Sequence, residues 1–188
     1  MRRRFRPYQV PTHEELSPYL RETPVRVWDM IRDAGMILEE AELGEGISST
    51  VEAAEGRFRI TLNANDTELR RRFAAAYELA RVLLNRFEVM DAGGPLVSHL
   101  FVPAVSGKTA PKGDAQRLAT ALLVPPNPLR EMHKAGASLN EMAGVFLTSQ
   151  KMVLSRLHTL SLEPPPEQVS PVGASGTVIS AVIAGPQV

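Results

Sequence analysis

Apolar and polar positions change period several times along the chain, and each change marks an element. In "TPVRVWDMIRDAGM", Val27, Ile31 and Ala34 recur at helical spacing. Thr23 is the expected N-cap, Pro24 the expected first helical residue and Gly35 the stop. From Met36 to Asn63 the period falls to two. "GISSTVEA" and "GRFRITLN" read as strands, with "AAEG" as the hairpin turn between them. Phe58, Ile60 and Leu62 alternate with Arg57, Arg59 and Thr61, so one face of the second strand should be buried. Asp66 or Thr67 then opens the longest helical pattern of the chain, which runs to about Phe87.

Beyond it, "DAGGPLVSHLFVPAVSGKTAPKG" is rich in Gly and Pro and reads as a loop or insertion. "GDAQRLATALLVP" reads as a short apolar helix stopped by Pro125 and Pro126. Three short helical patterns follow: "NPLREMHKAG", "SLNEMAGVFL" and "SQKMVLSRLHTL". Ser138 caps the second, and Thr148 or Ser149 the third. The organisation is therefore an irregular basic leader (1–24), a main α+β domain (25–126), a helical module (127–162), and a proline linker with an apolar tail (163–188). The tail's "GTVISAVIAG" is β-branched, which predicts a strand that docks on this chain, on a second subunit or on a partner. No long internal repeat is present.

Composition narrows the picture without deciding it. The 188 residues suffice for one ordinary domain with a core, and 44% hydrophobic with 22% charged residues is normal for a soluble globular chain. The formal net charge is zero, which gives no global attraction to nucleic acid or anionic membrane. Positive charge is local: "MRRRFR" places four arginines in the first six residues, as a solvated terminus or as an arm for an anionic partner. The absence of cysteine excludes disulfides and thiolate metal sites. No apolar run approaches the roughly 20 residues that span a bilayer, and no apolar segment follows the basic start as in a signal peptide. A cytoplasmic protein is the expectation.

The candidate chemistry lies on the long helix, in "RRRFAAAYELARVLLNR". Tyr77 and Arg81 are four apart and share a face, with Glu78 beside them. In an HExxH helix two histidines occupy such positions and bind zinc, while the glutamate activates the metal-bound water. Arginine has no lone pair to donate and keeps its charge. Tyrosine ligates only after losing a proton of unperturbed pKa near 10.

These blocks resemble the ImmA/IrrE family of metallopeptidases. That family typically reads R-x-R-F-T-L-A-H-E-L-G-H-L-L-L-H after a strand ending I-x-x-N; here "RITLN" precedes "RRRFAAAYELARVLLN". The family's downstream E-x-x-A-N-x-F-A-A-x-L-L-M-P corresponds to "KGDAQRLATALLVP", which puts Lys112 at the third-ligand position. A helical module like "SLNEMAGVFLTSQKMVLSRLHTL" follows in the family. The likeness covers roughly Val25 to Leu162. It implies a small, mostly antiparallel sheet packed on a long zincin-like helix, followed by a helix-turn-helix-like module.

The departures from the family pattern are systematic. All three ligand positions are substituted, by Tyr77, Arg81 and Lys112, and only the general-base position, Glu78, is retained. The four histidines (His13, His99, His133 and His158) are scattered one per segment. A makeshift metal site from Glu78, His99 and Asp114 would lie close to the positive Arg81. No nucleophile elbow or cysteine nucleophile is present. The resemblance implies that active relatives cleave or inactivate helix-turn-helix repressors. A relative without ligands would keep the partner-binding surface, with no catalytic residue, no metal and no cofactor. Its expected partner is a protein, either a repressor of that kind or its own subunit, and no membrane is involved.

Two other function classes stand beside this one. The first is a divergent zinc peptidase with rearranged ligands. The second is a DNA-binding regulator that uses the helical module. The second helix of that module offers Gln150, Lys151, Ser155, Arg156 and His158, a modest set for reading DNA, so nucleic acid is not the favoured partner. The ion-pair reading of the degenerate site is specific. Arg81 should neutralise Glu78, with Asp114 close by and Tyr77 giving its hydroxyl to the same cluster.

Overall fold

The structure is a computed structural model, and it describes residues 8, 10–100 and 113–166. It is α+β, a four-stranded mixed sheet with a long helix packed on it and smaller helices behind. The strands are β1 (Ile37–Ala41), β2 (Ser49–Ala54), β3 (Arg57–Asn63) and β4 (Leu96–Ser98), in the order β1-β3-β2-β4. β3 pairs in parallel with β1 and antiparallel with β2, and β2 pairs antiparallel with β4. The hairpin between β2 and β3 turns at Glu55 and Gly56, both with positive φ (53° and 75°). This is the two-residue geometry that matches strand twist and favours glycine.

One face of the sheet is apolar. Val51 on β2 lies opposite Ile60 on β3, and both are buried together with Phe58 and Leu62. The charged residues of β3 point the other way, where Arg59 is ringed by Glu39, Glu52 and Glu55. Asn63 closes β3: its amide donates to the Ile47 carbonyl at 2.7 Å and pins the loop that enters β2.

The helices are α1 (His13–Leu16), α2 (Val27–Asp33), α3 (Glu68–Asp91), α4 (Asp114–Leu123), α5 (Pro126–Lys134), α6 (Leu139–Phe146) and α7 (Gln150–Thr159). Thr67 caps α3. Ala74, Ala75, Ala76 and Ala80 are fully buried on α3, and such small side chains let its backbone approach the sheet on one side and α4 on the other. Asn85 leaves helical geometry (φ −131°, ψ 38°) and breaks α3 two turns before its end. Ser138 and Glu141 form a capping box at the start of α6. α6 ends on Leu147 in the left-handed region (φ 48°), and Ser149 then caps α7.

Three expectations from the sequence need correction. The leader is not wholly irregular: Thr12 and Glu15 build a capping box for α1, whose Leu16 is buried. α2 begins at Val27 and not at Pro24, because the Val25 carbonyl is occupied by the Val27 amide (2.9 Å) and the Arg72 guanidinium (3.0 Å). Within the expected loop after α3, Leu96–Ser98 forms the edge strand β4; three residues are too few to show a period. The apolar tail, Lys112 and the first arginines lie outside the described residues.

Candidate functional site

The site is built where α3 crosses the β2–β4 end of the sheet. Ser49 occupies the inward face of β2, two residues before the buried Val51, and pairs across the strands with Ser98 of β4. Two hydroxyls therefore face the helix where alternation alone would place apolar groups. Glu78 of α3 meets them. Its carboxylate is 0% exposed, and Ser49 Oγ donates to its Oε1 at 2.7 Å. Arg81, one turn further on, sends Nη1 to Glu78 Oε2 at 3.3 Å and to Ser98 Oγ at 3.0 Å. The Arg81 side chain keeps 13% of its surface exposed, so the pair is a nearly dry ion pair at the rim of the core. The Ser98 hydroxyl also hydrogen-bonds the carboxylate.

The electrostatics of Glu78 are a contest between burial and these partners. Desolvation is the largest effect and raises its pKa. The charge of Arg81 and the hydrogen bonds from Ser98, Ser49 and Arg81 pull it back, without reversing the direction. A carboxyl raised in the folded state binds its proton more tightly there than in the unfolded chain. Its contribution to stability is then full below the ordinary glutamate value and is lost as pH rises through the raised value. The expected outcome is that the urea midpoint of the native protein, relative to a Glu78→Gln variant, falls as pH climbs from the carboxylate range toward neutrality. Parallel pH profiles for the two proteins would remove this account of Glu78.

Tyr77 does not join the cluster as expected. Its ring packs against Phe73, with centroids 6.4 Å apart, and no described hydrogen bond links its hydroxyl to Glu78, Ser49, Ser98 or Arg81. Burial raises the Tyr77 pKa, so the phenol stays protonated at neutral pH and offers no anionic ligand. The physical reason for the miss is helical direction: neighbours Tyr77 and Glu78 point about 100° apart. Asp114 is also elsewhere. It is exposed at the start of α4 and pairs with Arg117. His99 is held by the Gly46 carbonyl through Nδ1 at 2.8 Å. Among the described residues, no three His, Cys, Asp or Glu side chains converge as a metal site would need.

The donor set at Glu78 does not fit zinc. Both carboxylate oxygens are engaged by hydroxyl or guanidinium donors, and the adjacent Arg81 brings a fixed positive charge. Sequence reasoning found Glu78 and Arg81 but not the two serines that complete the cluster. Ser49 carried a signal, as a polar residue on the face that alternation buries. Ser98 carried none.

No protein-family model matches the chain, and no curated protein matches it. Among solved structures it is similar to a Mycobacterium tuberculosis transcriptional regulator, at 16% identity with a TM-score of 0.49. The match covers 84% of this chain and 49% of that one, so the chain spans about half the length of that regulator. No helix among the described residues is long and apolar enough to cross a membrane.

Proposed function

We propose that this chain is a metallopeptidase-like scaffold without hydrolytic chemistry, acting through contacts with another protein. The observation that carries the reading is the Arg81–Glu78 pair: the guanidinium bonds the carboxylate that an HExxH enzyme would direct at a metal-bound water. Ser49 and Ser98 hydrogen-bond the same carboxylate. A carboxylate so held and fully buried is not presented to a substrate as a general base would be. The resemblance of the sequence blocks to the ImmA/IrrE family supports a regulatory setting. It makes a helix-turn-helix repressor, or a second copy of the chain, the partner to seek first.

Metal analysis of tag-free protein tests the reading. The expected result is zinc far below one equivalent after dialysis, with no rise in melting temperature on adding zinc. About one equivalent of tightly held zinc that disappears in Glu78→Gln would overturn it and favour a peptidase with rearranged ligands.

A further inference from the structure

Away from Glu78, α4 and α7 enclose a second concave region that the proposed function leaves unused. It consists of two hollows of about 250 and 400 Å³ that share Gln116, Thr120 and Ser155 as walls. Small-molecule sites commonly enclose roughly 300–1,000 Å³. The smaller hollow is polar and basic, lined by Arg117 and Arg156 with the Thr159 and Ser155 hydroxyls. The larger is lined by Lys151 and Arg70 together with the apolar Phe73, Leu100 and Met152. Among the described residues, no acidic side chain lines either hollow.

The charge there is only partly compensated. Arg117 is paired with Asp114 and Arg70 with Asp66, both at the rim. Arg156 differs. It is half-buried, and its Nε donates to the Val124 carbonyl at 3.1 Å, an uncharged acceptor. Burial, and after it the charge of Arg130, lower its pKa. A bound anion would offset the positive charge of this half-buried guanidinium while using the remaining N–H groups of the Arg156 fork. The adjoining apolar wall suits a flat, weakly polar group attached to the anion.

We infer that the α4–α7 hollow binds a nucleoside monophosphate, with the phosphate between Arg156 and Arg117 and the base against Phe73, Leu100 and Met152. Lys151 lines the larger hollow and adds a second charge there for the ribose-phosphate. Inorganic phosphate lacks the apolar part and adenosine lacks the charge, so neither engages both walls.

Titration calorimetry of the full chain at low salt tests this with adenosine monophosphate, inorganic phosphate and adenosine as separate probes. The expected result is saturable binding of the monophosphate at least about tenfold tighter than of either fragment. Arg117→Glu and Lys151→Glu should each weaken it by about tenfold or more, the scale of one charge-assisted hydrogen bond. Both side chains are exposed, so unchanged melting temperatures would show that the variants fold, whereas Arg156 also ties α7 to α4 and is a poorer first test. No binding of the monophosphate, equal binding of phosphate or adenosine, or full affinity in both variants overturns the inference. So does binding of duplex DNA without the monophosphate, which would make these cations a nucleic-acid surface instead.

Discussion

Replacing Arg81 by alanine should destabilise the protein by about 3 kcal/mol at neutral pH, the usual cost of leaving one partner of a buried ion pair uncompensated. Glu78 is fully buried and Arg81 nearly so, so solvent screening does not reduce this to the small value of a surface pair. The substitution removes the largest influence opposing the desolvation of Glu78, and the carboxyl then titrates higher still. The cost should therefore shrink as pH is lowered, because a protonated Glu78 needs no counter-charge. The variant Glu78→Leu, Arg81→Met, Ser49→Ala, Ser98→Ala should lose less stability than Arg81→Ala alone, since it removes the buried charge together with the hydroxyls that would otherwise be stranded. Urea midpoints at neutral and acidic pH measure all three effects. A cost below about 1 kcal/mol that does not vary with pH would show that the pair contributes no more than an exposed one.

Phe146→Ala should cost about 3–5 kcal/mol, the range for deleting a fully buried aromatic side chain. Phe146 lies on α6, yet it belongs to the same apolar cluster as Ile60 and Leu62 of the sheet and Leu79 of α3. Met142, Val153 and Leu157 continue that cluster through the helical module, by way of Leu122, Leu123 and Leu129. The loss should accordingly appear as a shift of one transition in both a helix signal and a signal from Trp28, which packs against the same cluster. Two separated transitions, with Trp28 insensitive to Phe146→Ala, would mean that the helical module unfolds on its own.

Much of this fold was legible because burial writes a period into the sequence. The alternation of Phe58, Ile60 and Leu62 gave β3 and its inward face, and the structure buries all three. Thr67, Ser138 and Ser149 announced helix starts because a side-chain oxygen at those positions accepts a backbone N–H that the helix leaves unpaired. The Gly56 turn was readable because few residues tolerate its positive φ. Short elements were not legible. β4 has three residues and α1 has four, and their existence rests on partners distant in sequence: the β2 edge for one, a core pocket for Leu16 for the other.

The sequence by itself determined that Glu78 and Arg81 sit one helical turn apart with opposite charges, since that follows from 3.6 residues per turn. It could not determine that the pair is dry. Burial of Glu78 depends on β2 and β4 closing over α3, and β4 is fixed by a pairing between residues 49 and 98 that no local pattern encodes. The same pairing brings Ser49 and Ser98 to the carboxylate, whereas Tyr77, turned about 100° from Glu78 on the helix, packs on Phe73, and Asp114 pairs with Arg117 on α4. Local spacing sets which side chains share a helix face. Only long-range packing sets the dielectric around them, and at this site the dielectric decides whether a glutamate beside an arginine is a surface pair worth almost nothing or a buried one in which neither partner can be removed alone without a large cost.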